Sequence, residues 1–425
     1  MYEASGRLGG KILSNRIGPA VAEGGPDSIV ARNSIVSELV RDLGLEDEVV
    51  RPRSSKSYLW SRGRLRPIPQ GLFGGYPAGG ILPLLRSGIL SPAGMVRVAA
   101  EVLLPRSRIA EGGDVSVGQL VRSRFGDEYR KRIADPLMGG LMSCSSDYLS
   151  AAALAPSLLE KVRSSRSVLL SSRKVTGPRQ SVPFFSFRNG TGELVKRLAE
   201  ACSGIDIHTG ETVSSVEPGS GGWVVRSGRG EEYFDAVIAA VPAFAASRML
   251  SSMEELSSRL STIHYTSVAN VVFSYRDGDF SPGLEGSGFL VPECEGLMMT
   301  GCSWLSSKWS NAEYPGHSIV RCFAGTPDST GWSLLDDEAL ASWLHGELNA
   351  IVGTGGKPES SLVTRWDRAL PQYRPGHREL VAGIRKLTPP GLYLTGAAYG
   401  GVGLSSCIAD ASMAADSAAS RLSSL

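Results

Sequence analysis

The spacing of apolar positions divides the chain into a helical middle flanked by strand-rich segments. Glu23-Gly24-Gly25-Pro26-Asp27-Ser28 is a turn cluster, and Ile35, Leu39 and Leu43 after it predict a helix ending near Gly44. Tyr58-Leu59-Trp60, the polar Arg62-Gly63 and then Leu65 to Pro69 read as a β-hairpin. From about 73 to 180 the pattern is mostly helical. Val117, Leu120, Val121, Phe125 and Tyr129 fall near the helical period, with Ser116 placed to cap them. Near 184 the grammar changes. Phe187 to Gly192 predicts a loop entering an amphipathic helix from Glu193 to Ala201. Short strands follow near 205–208, 211–217, 222–226 and 231–234, then an apolar strand from Ala236 to Val241 that stops at Pro242. Val268 to Tyr275, Gly288 to Val291, Leu297 to Cys302 and Ser318 to Ala324 predict an antiparallel sheet in a second domain.

Both ends of the chain carry nucleotide-fold grammar. Met1 to Lys11 reads as the end of a second strand of a dinucleotide-binding βαβ unit, with Glu3 in the place of the acidic residue that meets a ribose. The glycine fingerprint that precedes such a residue is absent; restoring it would take roughly 20–30 residues. The last 35 residues return as strand Leu392-Tyr393-Leu394-Thr395, a glycine-rich turn and an Ala/Ser-rich helix. The expected fold class is therefore α/β: a Rossmann-like domain lacking its first strand and fingerprint, an antiparallel-sheet substrate domain and a helical domain.

At 425 residues the chain is long enough for two or three domains around one cleft. A net charge of +2 announces no polyanionic partner, so nucleic acid is not expected. The charge is unevenly spread: Ile81 to Gln180 holds 15 Lys/Arg against 8 Asp/Glu, leaving −5 elsewhere. Arg122, Arg124, Arg130, Lys131, Arg132, Arg163, Arg166, Arg173 and Lys174 carry most of that excess. It reads equally as a solvated helical face or as attraction for a carboxylated substrate or an anionic membrane surface. The six cysteines lack CxxC spacing and the five histidines are dispersed, which argues for reduced cytoplasmic thiols and against a metal site. No apolar run reaches the length of a membrane-spanning helix, and without a charged start, apolar stretch and cleavage site no secretion signal is expected.

Three glycine-rich segments offer backbone to a ligand. Gly6, Gly9 and Gly10 let the chain approach closely, with Arg7 within reach of phosphate or ribose, or they form only a flexible turn. Gly396-Ala397-Ala398-Tyr399-Gly400-Gly401-Val402-Gly403-Leu404 suits a flat ring, and the amides opening the last helix favour negative charge there. Gly25-Pro26-Asp27-Ser28 wraps a cofactor or merely turns the chain. Trp366 and Tyr373, near Pro371, suit an aromatic wall for a planar ligand, although a plain core is the commoner use of one such aromatic. No Ser–His–Asp set or paired-carboxylate spacing stands out, as expected where a cofactor performs the difficult step.

Glu3-Ala4-Ser5-Gly6-Arg7-Leu8-Gly9-Gly10-Lys11, Gly25 to Ser28, Thr266-Ser267-Val268-Ala269-Asn270, Arg365-Trp366 with Leu370-Pro371-Gln372-Tyr373, and Thr395-Gly396-Ala397 through Val402-Gly403 stand in one order. With them the chain resembles, end to end, the flavin-dependent protoporphyrinogen/coproporphyrinogen oxidases of haem biosynthesis. The resemblance implies an FAD-binding domain from 1–50, 185–255 and 385–425, a substrate domain from 51–72 and 256–384, and a helical domain over 73–184 that touches membrane in some relatives. It places Glu3 and Ala4 at the adenosine ribose, and Arg7, Gly9, Gly10 and Lys11 at the phosphates. Gly25, Pro26, Asp27 and Ser28 would run along FAD, the Val213 backbone would hold adenine, and Trp366, Gly396, Val402, Gly403 and Leu404 would sit by the flavin.

The implied reaction takes six electrons from a porphyrinogen by hydride transfer to FAD, with oxygen as acceptor and hydrogen peroxide as by-product. Protoporphyrinogen-specific animal and plant relatives have a propionate-pairing arginine where this chain has Ser57, with Lys56 beside it, as in the Gram-positive type. Coproporphyrinogen III, with its four carboxylates, is the expected substrate. Protoporphyrinogen IX is the alternative, as is a cofactorless remnant without activity. A cytoplasmic protein, peripheral to the membrane through its helical domain, fits this reading; neither oligomeric state nor a catalytic residue is legible.

Overall fold

Two twelve-residue strands, Tyr265–Arg276 and Ser360–Pro371, organise the molecule. The first is rich in the β-branched and aromatic residues that pack well on a pleated surface. In the computed structural model, which describes residues 1–425 except 32–33, 74, 78–79, 108, 110–111, 173–183, 281–282, 329 and 425, they pair antiparallel from Tyr265 opposite Pro371 to Ser274 opposite Ser360. They open a seven-stranded sheet that continues through His317–Ala324, Met299–Trp304, Gly288–Leu290, Ser57–Ser61 and Arg64–Pro67. Helix Asp337–Val352, capped by the Asp336 carboxylate on the Ala339 amide at 2.8 Å, buries Leu340, Leu344 and Leu348 against Val271, Phe273 and Val320 of that sheet.

The expectation of a purely antiparallel sheet needs one correction, because Gly288–Leu290 runs parallel to Ser57–Ser61. Those strands come from segments more than 200 residues apart, so no hairpin dictates their sense. The predicted hairpin of 58–69 is present, with Tyr58 opposite Pro67.

The nucleotide unit holds two parallel pairs, Tyr2–Glu3 with His208–Thr209 and Val237–Ala239 with Leu392–Leu394. Phe184–Phe187 pairs antiparallel with both Ile29–Val30 and Val49–Val50. The predicted helix after the turn cluster runs Ser34–Asp42, but its deepest residues are Val36 and Val40. Ile35, Leu39 and Leu43 pack at the edge of the same cluster, so the buried face is rotated one position from the predicted stripe. The final helix spans Leu404–Leu422.

In the helical region Ser116 caps Val117–Phe125 as predicted, accepting from the Gln119 amide at 3.0 Å. The helix stops at Gly126, so Tyr129 belongs to the next turn. A ten-residue π-helix, Arg130–Gly139, follows and accommodates Pro136, whose missing N–H would break a tighter ladder. The basic residues here are turned to internal use. Arg122 holds Asp147, Arg130 lies buried among Asp127, Asp135 and Asp147, Lys131 meets Asp127, and Arg132 meets Glu295. Arg163 and Arg166 donate to backbone carbonyls of Gly113 and Leu104, while Arg173 and Lys174 lie outside the described residues. Of the acids that meet these cations only Glu295 lies outside Ile81–Gln180, so the ion pairs fix where the side chains point and leave the local positive balance in place. Among the described residues no helix is long and apolar enough to cross a membrane.

Arg124 and Glu101 form the most deeply buried ion pair of this region, with side chains 4% and 0% exposed. Glu101 also accepts from the Val168 amide at 2.9 Å and the Ser167 hydroxyl at 2.6 Å. Replacing Glu101 with alanine strands a buried guanidinium and is expected to cost about 3–5 kcal/mol in denaturant unfolding.

Candidate cofactor site

The strap from Glu23 to Ser28 leaves strand Ala20–Glu23 and crosses onto the seven-stranded sheet. Its backbone is held by side chains of that sheet. The Gly24 carbonyl accepts from the Trp366 indole Nε1 at 2.7 Å and from Asn270 Nδ2 at 2.9 Å, and the Glu23 carbonyl accepts from Arg321 at 2.8 Å. Gly25 lies so close to the preceding loop that an added Cβ would drive into the Lys11 carbonyl oxygen, so only glycine fits.

Charge reinforces the crossing. Burial pushes the Asp27 carboxyl up, but Lys308 at 2.7 Å and Arg321 outweigh it and hold Asp27 well below the usual carboxylate range. Burial raises Glu23, opposed by hydrogen bonds from the Thr191 amide at 2.6 Å and the Ser14 hydroxyl at 2.7 Å. Burial lowers Arg321, opposed by Asp27 and Glu23. Two carboxylates from the strap thus face two cations from the sheet side.

The glycine loop sits beside the strap. Glu3 Oε1 accepts from the amide and hydroxyl of Ser5 at 2.8 and 2.7 Å. Arg7 turns its guanidinium onto its own loop, donating to the carbonyls of Leu8 and Ile12 at 3.1 and 2.9 Å, and lies 5.9 Å from the centre of the Trp366 ring. These contacts brace the loop around the guanidinium. Lys11 is largely buried; burial lowers its ammonium and nearby Cys407 opposes the shift. Strand Val213–Pro218 follows the Glu211 amide, which donates to the Glu3 carbonyl at 2.9 Å, and Val213 shares an apolar cluster with Tyr2.

The C-terminal turn completes the site. Asp410, 4% exposed, accepts from Thr395 Oγ1 at 2.9 Å and the Gly396 amide at 3.0 Å, and meets Arg385 at 2.9 Å. Gly396 has φ +121°, a conformation side chains rarely adopt. The last helix starts at Gly403 without a side-chain cap, so its first amides remain available to a negative group. Leu404 packs with Val36 and Phe187, and Ser405 donates to the Val30 carbonyl, which locks the helix start to the strap's continuation.

Nearly all the sequence-predicted residues converge. Glu3, Ala4, Arg7, Gly9, Gly10 and Lys11 share the loop, Gly25 to Ser28 the strap, and Gly396 and Val402 to Leu404 the turn, while Trp366 bridges loop and strap. Lys56 and Ser57 stand apart. Four strands separate Ser57–Ser61 from the Trp366 strand, and Lys56 pairs with Glu285 at 3.2 Å over the Tyr58 ring. Arg321, Lys308, Asp410 and His377 carried no local signal, since each acts on a partner distant in sequence.

A flavin fits this arrangement. The space a Cβ would take at Gly6, Gly10, Gly396 and Gly403 is open, so bare backbone is presented. Asn270 Oδ1 and Arg321 Nε are buried beside the strap with no partner among the described residues, leaving polar capacity unused.

Two outcomes follow from the strap. Gly25→Ala forces the strap off the Lys11 carbonyl and is expected to cost about 3 kcal/mol in thermal or denaturant unfolding. For Asp27, a folded value below the unfolded one means its contribution is complete above about pH 4 and is lost as pH falls through the depressed folded value. Asp27→Asn is expected to lower the denaturant midpoint at pH 7 and to flatten its decline toward pH 3.

The comparisons with known proteins agree with this geometry. The family model of flavin containing amine oxidoreductases matches residues 1–423. A coproporphyrinogen III oxidase of Bacillus subtilis (strain 168) is 30% identical over 96% of this chain and 88% of its own length. That of Staphylococcus aureus is 29% identical over 98% and 92%. A crystal structure from Exiguobacterium sp. 255-15, provisionally assigned as a protoporphyrinogen oxidase, superposes with a TM-score of 0.88 at 28% identity, covering 98% of this chain and 91% of that one. Cyclohexylamine oxidase from Brevibacterium oxydans shares the fold, with a TM-score of 0.72 at 14% identity over 99% of this chain and 93% of that one. The loop, strap and C-terminal turn are thus those of a flavoenzyme fold, and the chain belongs to the flavin-containing amine oxidoreductase family.

Proposed function

We propose that the chain is an FAD-dependent oxidase of coproporphyrinogen III, yielding coproporphyrin III in haem biosynthesis with oxygen as electron acceptor. What supports this reading is the meeting of four distant glycine-rich or aromatic segments at one place, in a chain aligned almost end to end with coproporphyrinogen III oxidases. A bound flavin supplies the two-electron acceptor that no side chain offers.

The protein's own part is orientation and electrostatics. Glu3 stands at the end of its strand, its carboxylate braced by Ser5 and placed for a ribose. The strap presents backbone along the dinucleotide, and its clamp by Trp366 and Asn270 fixes the distance between cofactor and substrate sheet. The uncapped start of the last helix favours the negative charge that builds on the ring during oxidation. Lys56, paired with Glu285 on the far side of the sheet, is kept as a candidate partner of a substrate carboxylate on the family resemblance alone.

The substrate preference follows the relatives of Gram-positive type and the Ser57–Lys56 pair. Protoporphyrinogen IX is the competing substrate, represented by a chloroplastic protoporphyrinogen oxidase of spinach at 26% identity. The test is the purified chain, its visible spectrum, and the rate of porphyrin fluorescence on each porphyrinogen. Flavin bands with faster turnover of coproporphyrinogen III are expected. Equal or faster turnover of protoporphyrinogen IX would overturn the substrate assignment, and inertness on both would overturn the reaction.

A further inference from the structure

Tyr373 and His377 are buried, and their rings stack at 4.0 Å with 14° between planes. Both reach the same turn. The Tyr373 hydroxyl donates to the Ala397 carbonyl, and His377 Nε2 lies 3.0 Å from the Ala398 carbonyl. A carbonyl can only accept, so the imidazole carries its proton on Nε2. Burial lowers the imidazole's affinity for a second proton, with the Ala398 hydrogen bond and Glu379 opposing.

Behind the pair stands the helical region. Asp114 Oδ2 accepts at 2.9 Å from the amide of Gly376, the residue immediately before His377. The same carboxylate accepts from Ser150 Oγ at 2.6 Å and the Ala152 amide at 3.0 Å, at the start of helix Ala151–Leu154. The Ser150 amide donates to the Tyr373 carbonyl at 2.7 Å. Tyr373 also belongs to the apolar cluster of the helical region, against which Val402 packs. An open groove of about 370 Å³ runs beside these contacts, between Glu160 and Arg163 on one wall and Arg378 and Glu379 on the other. Directed hydrogen bonds add to the apolar packing in registering the two sides.

We infer that the stacked Tyr373–His377 pair is a positioning device: it transmits the placement of the helical wall, through Asp114 and Gly376, to the Ala397–Ala398 carbonyls of the flavin seat. This rests on the reading of residues 396–404 as that seat. Asp410 fixes the start of the turn from the last helix, whereas Tyr373 and His377 fix its middle from the exit of strand Ser360–Pro371, where the helical region docks through Asp114 and Ser150. Movement of the helical wall over a substrate then reaches the seat without either ring touching the cofactor.

The test uses Asp114→Ala, which touches no residue of the turn, with His377→Leu and His377→Gln, the last retaining an N–H donor. Hydrogen exchange of amides 396–401, which requires no flavin, is read beside the fine structure of the flavin absorption band. Asp114→Ala and His377→Leu are expected to speed exchange there about tenfold, the scale of one lost hydrogen bond, with loss of the band's structure. His377→Gln is expected to restore both. Unchanged exchange at 396–401 in Asp114→Ala, whatever the loss of global stability, would overturn the coupling. A His377→Gln variant as perturbed as His377→Leu would overturn the role of the N–H donor. If the wild-type chain holds no flavin, the reading of the seat fails, and the exchange data still decide the relay.

Discussion

Everything at the site hangs on the crossing of the strap from the nucleotide unit to the seven-stranded sheet. One carbonyl, that of Gly24, takes hydrogen bonds from two residues of the two longest strands, Asn270 and Trp366. Each is worth on the order of 1 kcal/mol alone, but leaving either buried donor unmet costs more than the bond contributes. Asp27 and Glu23 add buried charge against Lys308 and Arg321. Removing any one member leaves a charge uncompensated in a poorly solvated seam, so the clamp is specific as well as strong.

That rigidity explains how a site with little acid–base apparatus can serve redox chemistry. Where the cofactor carries the electrons, the protein has to hold a flat ring against a substrate face and keep its charge stabilised. Glycines of the loop and turn leave bare backbone facing open space, and the open amides of the last helix supply positive potential without a mobile side chain. The turn is meanwhile tied on two sides, by Asp410 from its own helix and by Tyr373 and His377 from the strand exit. A preorganised seat of this kind loses little on reorganisation during the reaction.

The helical region shows the same economy in its charges. A run that reads as a basic patch is folded into ion pairs with Asp127, Asp135, Asp147, Glu295 and Glu101. Around the π-helical stretch these pairs brace a backbone that Pro136 would otherwise weaken. The pairs fix where the cations point, while the segment keeps its net positive balance.

Much of the site could be read along the chain because its signals are local. An acidic residue closing a strand, a serine placed to cap a helix and a glycine-rich turn opening the last helix each depend on a few neighbours in sequence, and these reappear in the structure. The parallel pairing of Gly288–Leu290 with Ser57–Ser61, the burial of Val36 instead of Ile35, and the choice of Lys308 for Asp27, 281 residues away, had no such trace. Arg7 and the basic run were visible as residues but not as interactions, because a cation's side chain settles where carboxylates and carbonyls are brought by the fold. Backbone preference and periodicity are properties of short segments and so belong to the sequence. Partner choice among buried charges and hydrogen-bonding groups belongs to tertiary structure, since it is decided by which distant segments share the same water-poor space.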